Sequence, residues 1–285
     1  MRVMIAFLLA SGIIFGGSPD VQRAQEFYER TNYRAALDVL MHIASPDAQA
    51  QNLIGKNYFM LGDYKKASEA FQKALTLEPQ NSDYALWLGR AYGRKAETSS
   101  PFTAPGNASK ARQFFERAVA LDPKNGEAMN DLFDYYLEAP GFLGGGLDKA
   151  AALISRIAAN DPAEGHFAEA ELADKRKEFN SAEEHFRRAV ELAPSQVGRV
   201  LDLAKYLAKL GRYQESDATF ARAEKLAPNA PKVIFAKANT LIQEKRNLEE
   251  ARQLLKRYMQ SDLTPDDPPR QQAEKLLRQV QNSGA

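Results

Sequence analysis

Prolines recur along the chain in similar surroundings, and each follows a helical pattern of side chains. They stand 44, 39, 32 and 34 residues apart. Similar residues recur twelve, eight and five positions before each proline, and these offsets describe one face of a helix. Proline lacks the N–H that a helix needs, so it ends each helix. The stripes are Ala67/Phe71/Ala74, Ala111/Phe115/Ala118, Ala150/Ile154/Ile157, Ala182/Phe186/Ala189 and Ser216/Phe220/Ala223, and the prolines are Pro79, Pro123, Pro162, Pro194 and Pro228.

A second helix is predicted upstream of each stripe. Its pattern is I-G-x-x-Y at residues 54–58 and L-G-x-x-Y at residues 88–92. Together with the stripe and the proline, this order resembles the tetratricopeptide repeat of about 34 residues. The resemblance implies an all-α protein in which about seven helix-turn-helix repeats stack into a right-handed superhelical solenoid.

The predicted solenoid covers residues 19–265 and is followed by a capping helix and tail at 266–285. The segment at 269–282 is polar and begins with proline, which is well tolerated at the start of a helix. An unstacked last repeat would leave an apolar face in water, so a solenoid needs such a cap. The repeats are placed at about 20–47, 48–81, 82–125, 126–163, 164–195, 196–229 and 230–265.

Two repeats exceed 34 residues, by ten and by five, and both insertions are predicted as loops between the paired helices. The segments are 95–109 and 138–147. The glycine-rich stretch in the second is interpreted as a wide turn with positive φ, because no Gly-Lys-Ser/Thr follows it as in a phosphate loop. Phe102 and Phe142 are candidate partner contacts. They could be buried against each other or against a partner, or belong to two independent solvated loops.

The first residues have a different composition from the rest of the chain. Arg2 is followed by an uncharged apolar run, Val3–Phe15, and then by small residues. This order is typical of a secretory signal, and the run is shorter than the roughly 20 residues of a membrane span. We therefore predict a signal peptide or N-terminal anchor at 1–18 and export to the bacterial periplasm or cell envelope. The alternatives are an uncleaved anchor and a buried first helix.

The residue types needed for catalysis or for cofactor binding are scarce. The chain has no cysteine, which excludes disulfides and thiolate metal sites. With 38 Lys+Arg against 37 Asp+Glu, it has no overall charge that would favour nucleic acid or a membrane surface. His42, His166 and His185 have no ligand-like spacing and are interpreted as surface or packing residues. No nucleophile–base motif is present. We expect no cofactor, no metal and no enzymatic activity.

By resemblance to the family, fixed positions on the first helix of each repeat line a concave groove. The carboxylate-binding pattern of some family members is not supported, because Asn52 and Lys56 stand in reverse order and Trp87 replaces an asparagine. Trp87 could hold an apolar peptide side chain, or it could pack against its neighbouring helix. The candidate groove residues are Asn52, Leu53, Lys56, Phe59, Trp87, Arg90, Arg94, Glu127, Asn130, Asp131 and Asp134.

Four carboxylates in the fourth repeat fall on one stripe of a helix. Like charges four residues apart oppose helix formation by a few tenths of a kcal/mol, so they need partners. Equal register positions predict pairs between Arg90 and Asp134 and between Arg94 and Glu138, with the other two carboxylates free for a basic client. The four residues are Glu127, Asp131, Asp134 and Glu138.

These observations favour a non-enzymatic interaction scaffold. It would bind a protein or peptide in the groove during envelope assembly or secretion. The alternative is an auxiliary regulatory subunit of an envelope enzyme complex, with the inserted loops touching the enzyme. No nucleic-acid partner is expected, and no membrane contact beyond the N-terminal anchor.

Overall fold

A computed structural model describes residues 18–283 of the chain. The predicted signal or anchor at 1–18 therefore lies outside the described residues, except for Ser18. The described residues form fifteen α-helices and one 3-10 turn at Gly141–Leu143. The helices are α1 Pro19–Glu29, α2 Tyr33–Leu40, α3 Ala48–Met60, α4 Tyr64–Leu77, α5 Ser82–Thr98, α6 Ala104–Leu121, α7 Gly126–Glu138, α8 Leu147–Asn160, α9 Pro162–Lys175, α10 Phe179–Leu192, α11 Val197–Lys209, α12 Tyr213–Leu226, α13 Pro231–Gln243, α14 Leu248–Met259 and α15 Arg270–Ser283.

Consecutive helices pack in pairs, and each pair packs on the next. The pairs run from α1/α2 to α13/α14, and α15 packs on α13 and α14. The prediction of an all-α fold with about seven helix pairs and a final helix is confirmed. None of the described helices is long and apolar enough to cross a membrane.

The predicted stripes form the contact between the two helices of a pair. In the second pair, Phe71 is fully buried, and a Cβ added to Gly55 would lie 2.5 Å from its ring. Gly89 and Phe115 repeat this arrangement in the third pair at 2.7 Å. A small residue on the first helix therefore admits the large ring of the second helix, because protein interiors are close-packed.

Asparagine and aspartate side chains define where several first helices begin. The side chain of Asn81 accepts a hydrogen bond from the N–H of Tyr84, and Asn125 caps α7 in the same way. Asp161 caps α9 by accepting from two backbone N–H groups. Such caps satisfy donors that have no partner within the helix. They fix the register in which the first helices line the groove.

The prediction of a loop at 95–109 is wrong for most of these residues, because they lie in helices. The inserted residues lengthen α5 and α6 to 17 and 18 residues, against 13 and 14 in α3 and α4. Only residues 99–103 connect them. Pro105 lies in the first turn of α6, where its missing N–H has no cost. The insertion thus extends a helical hairpin beyond its neighbours.

The second insertion is a wide turn, as predicted. Gly144 and Gly146 have φ of 89° and 155°. The N–H groups of Gly144, Gly145 and Gly146 donate to carbonyls of Gly141, Pro140 and Tyr136. Because these amides are used within the turn, they are not free to bind a phosphate.

The segment before α15 lies within electrostatic range of the first helix pair. Burial, followed by the charge of Glu29, raises the pKa of Tyr33 in α2 to about 12. Asp267 before α15 adds to this rise, and Arg270 at the start of α15 opposes it. The charge of Asp266 contributes in the same way to the raised pKa of Tyr28 in α1. The segment before α15 therefore lies close to the first helix pair.

Candidate functional site

The first helices α3, α5 and α7 carry the candidate groove residues, beginning with an aromatic and basic cluster. Trp87 is half-buried, edge-on to Phe59 at 5.6 Å and stacked on Phe71 at 5.7 Å between ring centroids. The Lys56 ammonium and the Arg90 guanidinium lie 4.8 and 4.9 Å from the ring centre of Trp87. Burial lowers the pKa of Lys56. This tryptophan is thus held by its own chain, by packing and by cation–π attraction.

An apolar peptide pocket of Trp87 with Leu53 is therefore not formed. Leu53 is only 3% exposed and belongs to the core between the first two helix pairs. Asn52 is half-buried, and its side-chain oxygen has no hydrogen-bond partner among the described residues. Phe59, from the predicted apolar set, lines a cavity in the groove.

The predicted pair between Arg90 and Asp134 is wrong, because Arg90 reaches one turn nearer the start of α7. Its Nε and one terminal nitrogen donate to the carboxylate of Asp131 at 2.6 and 3.2 Å, and it also contacts Glu127 at 3.0 Å. Long side chains on a helix lean towards its N-terminus, which explains the offset. The two carboxylates predicted to be free are thus already paired.

The predicted pair between Arg94 and Glu138 is also wrong. Arg94 pairs with Glu97 on its own helix and donates to the Tyr64 hydroxyl at 3.2 and 3.3 Å. Glu138 instead pairs with Lys175 of α9. Asn130 donates to Glu164 at 3.0 Å, and Arg199 neutralises Glu164 from α11 at 2.7 Å.

Two carboxylates at the centre of the groove have no ion-pair partner among the described residues. They are Asp134 on α7 and Glu171 on α9. Asp134 is open to the groove, but the surrounding walls remove part of its water. This desolvation, together with the negative charges of nearby acids, raises the pKa of Asp134 to about 6. Desolvation and Asp134 itself raise the pKa of Glu171 to about 7. Together these side chains form a partly desolvated acidic centre.

A cavity of about 560 Å³ joins this acidic centre to the second insertion. Its acidic wall belongs to the first helices, and its apolar wall combines aromatic rings with the turn after α7. The Tyr135 hydroxyl donates to the carbonyl of Leu143 at 2.9 Å and so anchors the turn. From the sequence, the groove and the second insertion were separate candidates for partner binding. In the structure, both line this cavity. The lining includes Phe59, Arg90, Arg94, Phe115, Asp131, Asp134, Tyr135, Glu138, Ala139, Pro140 and Leu143.

The two phenylalanines of the insertions point away from the protein body. Phe102 is 95% exposed and Phe142 is 83% exposed. The suggestion that they bury each other is therefore wrong.

The sequence interpretation missed a cluster on the fifth pair. His166 and Glu169 on α9 meet His185 on α10, with the two Nδ1 atoms 3.0 Å apart and each 2.9 Å from one Glu169 oxygen. The residues are 19 positions apart at most, and their spacing matches no simple ligand motif. The repeat register could have revealed the cluster, since it places both histidines on facing sides of paired helices.

Comparison with known families agrees with this architecture. Models of the tetratricopeptide repeat match residues 48–81, 163–196 and 201–268. These segments of the chain are tetratricopeptide repeats. Proteins built this way generally act as scaffolds that bind protein partners, and none of the matched families brings a catalytic domain. No curated protein shows significant similarity to the sequence.

Solved structures share the fold at low sequence identity. A tetratricopeptide repeat protein from Parabacteroides merdae is 13% identical, with a TM-score of 0.59 over 92% of this chain and 98% of its own. The Thermus thermophilus protein TTC0263 is 20% identical, with a TM-score of 0.54 over 66% and 97%. The Cut9–Hcn1 hetero-tetramer of the APC/C gives 15% and 0.51 over 93% of this chain and 49% of the other.

Proposed function

We propose that this protein is a non-enzymatic scaffold that binds a basic segment of a partner protein in its groove. The observation that carries the proposal is the acidic centre, where Asp134 and Glu171 face the groove without an ion pair. A partner's lysine or arginine would supply the missing counter-charge and favour the ionised carboxylates. The other acids of the stripe already have intramolecular partners.

The cavity beside the acidic centre favours an apolar residue next to the basic one. Its aromatic and aliphatic walls offer burial to a side chain of a bound segment, while the carboxylates fix the orientation of that segment. Grooves in which a few polar groups border an apolar wall commonly bind peptides in this way. The partner segment would therefore combine a cation with an adjacent aliphatic or aromatic side chain.

The test is photo-crosslinking from position 59, at the cavity, in living cells. Partners captured by the wild-type chain should be lost or reduced by about tenfold in the double variant Asp134→Asn/Glu171→Gln, because two charges that attract the basic segment are removed. The control is Asp148→Asn/Glu184→Gln, which changes exposed carboxylates on the second helices of the same repeats. Equal capture by the wild-type and groove variants would refute the acidic centre as the binding site.

We also propose that the protein is exported and acts in the bacterial periplasm or cell envelope, in assembly or secretion. The support is the sequence of residues 1–18, in which Arg2 precedes a short apolar run and small residues. N-terminal sequencing of the native protein should begin after roughly residue 18 in an envelope fraction. A cytoplasmic protein that retains Met1 would contradict export.

A second candidate is an auxiliary subunit of an envelope enzyme. The exposed rings of Phe102 and Phe142 favour it, because large apolar side chains in water often mark a partner surface. One stoichiometric enzyme should then co-purify and be lost in Phe142→Ser but not in Asp134→Asn. The groove scaffold predicts the opposite dependence.

A further inference from the structure

Three potential ligand atoms meet on the fifth helix pair. The Nδ1 atoms of His166 and His185 and one carboxylate oxygen of Glu169 form a nearly equilateral triangle with edges of 3.0, 2.9 and 2.9 Å. His166 and Glu169 lie one turn apart on α9, and His185 approaches them from α10. The three side chains keep 31%, 38% and 28% of their exposure, so an ion in solution can reach them.

Hydrogen bonds alone cannot satisfy this triangle. A neutral imidazole carries its proton on only one ring nitrogen, and an ionised carboxylate has no proton. If only one Nδ1 is protonated, it donates along one edge at a time, and the other nitrogen faces the carboxylate with its lone pair. If both are protonated, both can donate to Glu169, but the two N–H groups then oppose each other. One edge always remains unfavourable.

A cation about 1.2 Å above the plane of the triangle satisfies all three atoms at once. Ligand atoms 2.9–3.0 Å apart match the spacing of neighbouring ligands around a six-coordinate ion with bonds of about 2.1 Å. Around a tetrahedral zinc ion the same atoms would move apart to about 3.4 Å. A bond of about 2.1 Å is typical of imidazole nitrogen and carboxylate oxygen on zinc and similar ions. The exposed side leaves further coordination positions for water or for a donor from a partner.

The repeat register makes these residues unusual. In the neighbouring repeats the positions of His166 and Glu169 hold Met129 and Leu132, then Val200 and Leu203, all at most 5% exposed. The position of His185 holds Leu153 in the preceding repeat, which is 7% exposed.

These three polar residues thus stand where the preceding repeat buries apolar side chains, whereas the position of His185 holds the half-buried Thr219 in the following repeat. Their positions are those at which the two helices of a pair meet, so packing alone would be served better by aliphatic residues.

We propose that His166, Glu169 and His185 form a binding site for a divalent transition-metal ion such as Zn²⁺. Two imidazoles and a carboxylate suit zinc, cobalt, nickel and iron(II) and discriminate against calcium and magnesium, which prefer oxygen ligands. The ion links α9 to α10 and stabilises the fifth pair, since metal binding to the folded state adds to folding free energy. The site is independent of the groove.

The test is isothermal titration of the full chain, purified without a histidine tag and freed of metal, with Zn²⁺ as the probe. One equivalent should bind saturably, and the melting temperature should rise with the Zn²⁺ concentration. The variants Glu169→Leu and His185→Leu introduce the leucines that stand at these positions in the preceding repeat. They should lose Zn²⁺ binding by roughly tenfold or more while the metal-free protein melts no lower than wild type.

The control is His42→Ala, because His42 is exposed and its Nδ1 lies 2.6 Å from the Asp38 carbonyl oxygen. This variant should bind Zn²⁺ as the wild type does. Absence of saturable binding to the wild type would overturn the proposal. So would retained binding in His185→Leu, or an equal loss of binding in the His42 variant.

Discussion

Replacement of Arg90 by methionine tests the interhelical ion pair at the groove wall. Arg90 donates two hydrogen bonds to Asp131 and contacts Glu127, and its side chain and that of Asp131 keep 23% and 22% of their exposure. Removing one partner of a buried pair costs about 3–5 kcal/mol. Because water still reaches this pair in part, and Glu127 is 72% exposed, we expect a loss of about 2–3 kcal/mol.

Urea unfolding followed by the fluorescence of Trp87, with far-UV circular dichroism as a second probe, measures this loss. Trp87 is the single tryptophan of the chain and lies 4.9 Å from the Arg90 guanidinium. The matched control is Arg94→Met, because Arg94 is 46% exposed, has its ion pair within its own helix and otherwise donates only to the neutral hydroxyl of Tyr64. It should cost about 0–1 kcal/mol.

The pH dependence gives a second check of the same variant. The pKa of Asp131 is raised by burial, and Arg90 opposes that rise. Without Arg90 the folded state holds the proton more strongly than the unfolded state, so stability falls as pH rises. The deficit of Arg90→Met should therefore be larger at pH 8 than at pH 5. Equal costs for Arg90→Met and Arg94→Met at both pH values would refute the reasoning.

Three further predictions concern packing, titration and the exposed surface. Gly55→Ala should cost roughly 1–3 kcal/mol, because the new methyl group would lie 2.5 Å from the Phe71 ring; thermal unfolding checks it. The raised pKa values of Asp134 and Glu171, about 6 and about 7, mean that stability rises as pH falls from 8 towards 5. Melting curves of Asp134→Asn/Glu171→Gln should lose part of that pH dependence. Phe102→Ser should leave the melting temperature unchanged, because the ring is 95% exposed; a clear decrease would show that it packs.

Local patterns predicted the helices well because each depends on residues close in sequence. The stripe of Ala67, Phe71 and Ala74 is fully buried as expected, and α4 ends two residues before Pro79. The structure of the insertion at 95–109 was predicted wrongly, because the length of a repeat shows only that residues were added. Whether they extend helices or form a loop depends on how α5 and α6 pack along their added turns.

The contacts between repeats were harder to predict. Equal register positions placed Arg90 beside Asp134, but an arginine side chain spans about one helical turn and leans towards the N-terminus. It therefore reaches Asp131. The cluster around His166 was missed because its members are unremarkable in a linear search. Only superposition of the repeats shows that they replace apolar residues of the preceding repeat.

The segment before α15 lies near α1 and α2. This arrangement allows the order of the helices along the chain to be changed by circular permutation. A linker that runs back along α15, about 20 Å, would join the two ends of the described chain. New ends could then be opened at residues 99–103, an exposed connection that contributes little to the packing. Circular permutation is tolerated at such exposed connections when a linker can join the original ends. A permuted protein of this kind would keep the same helix pairs, with what are now the terminal pairs placed in the middle of its sequence.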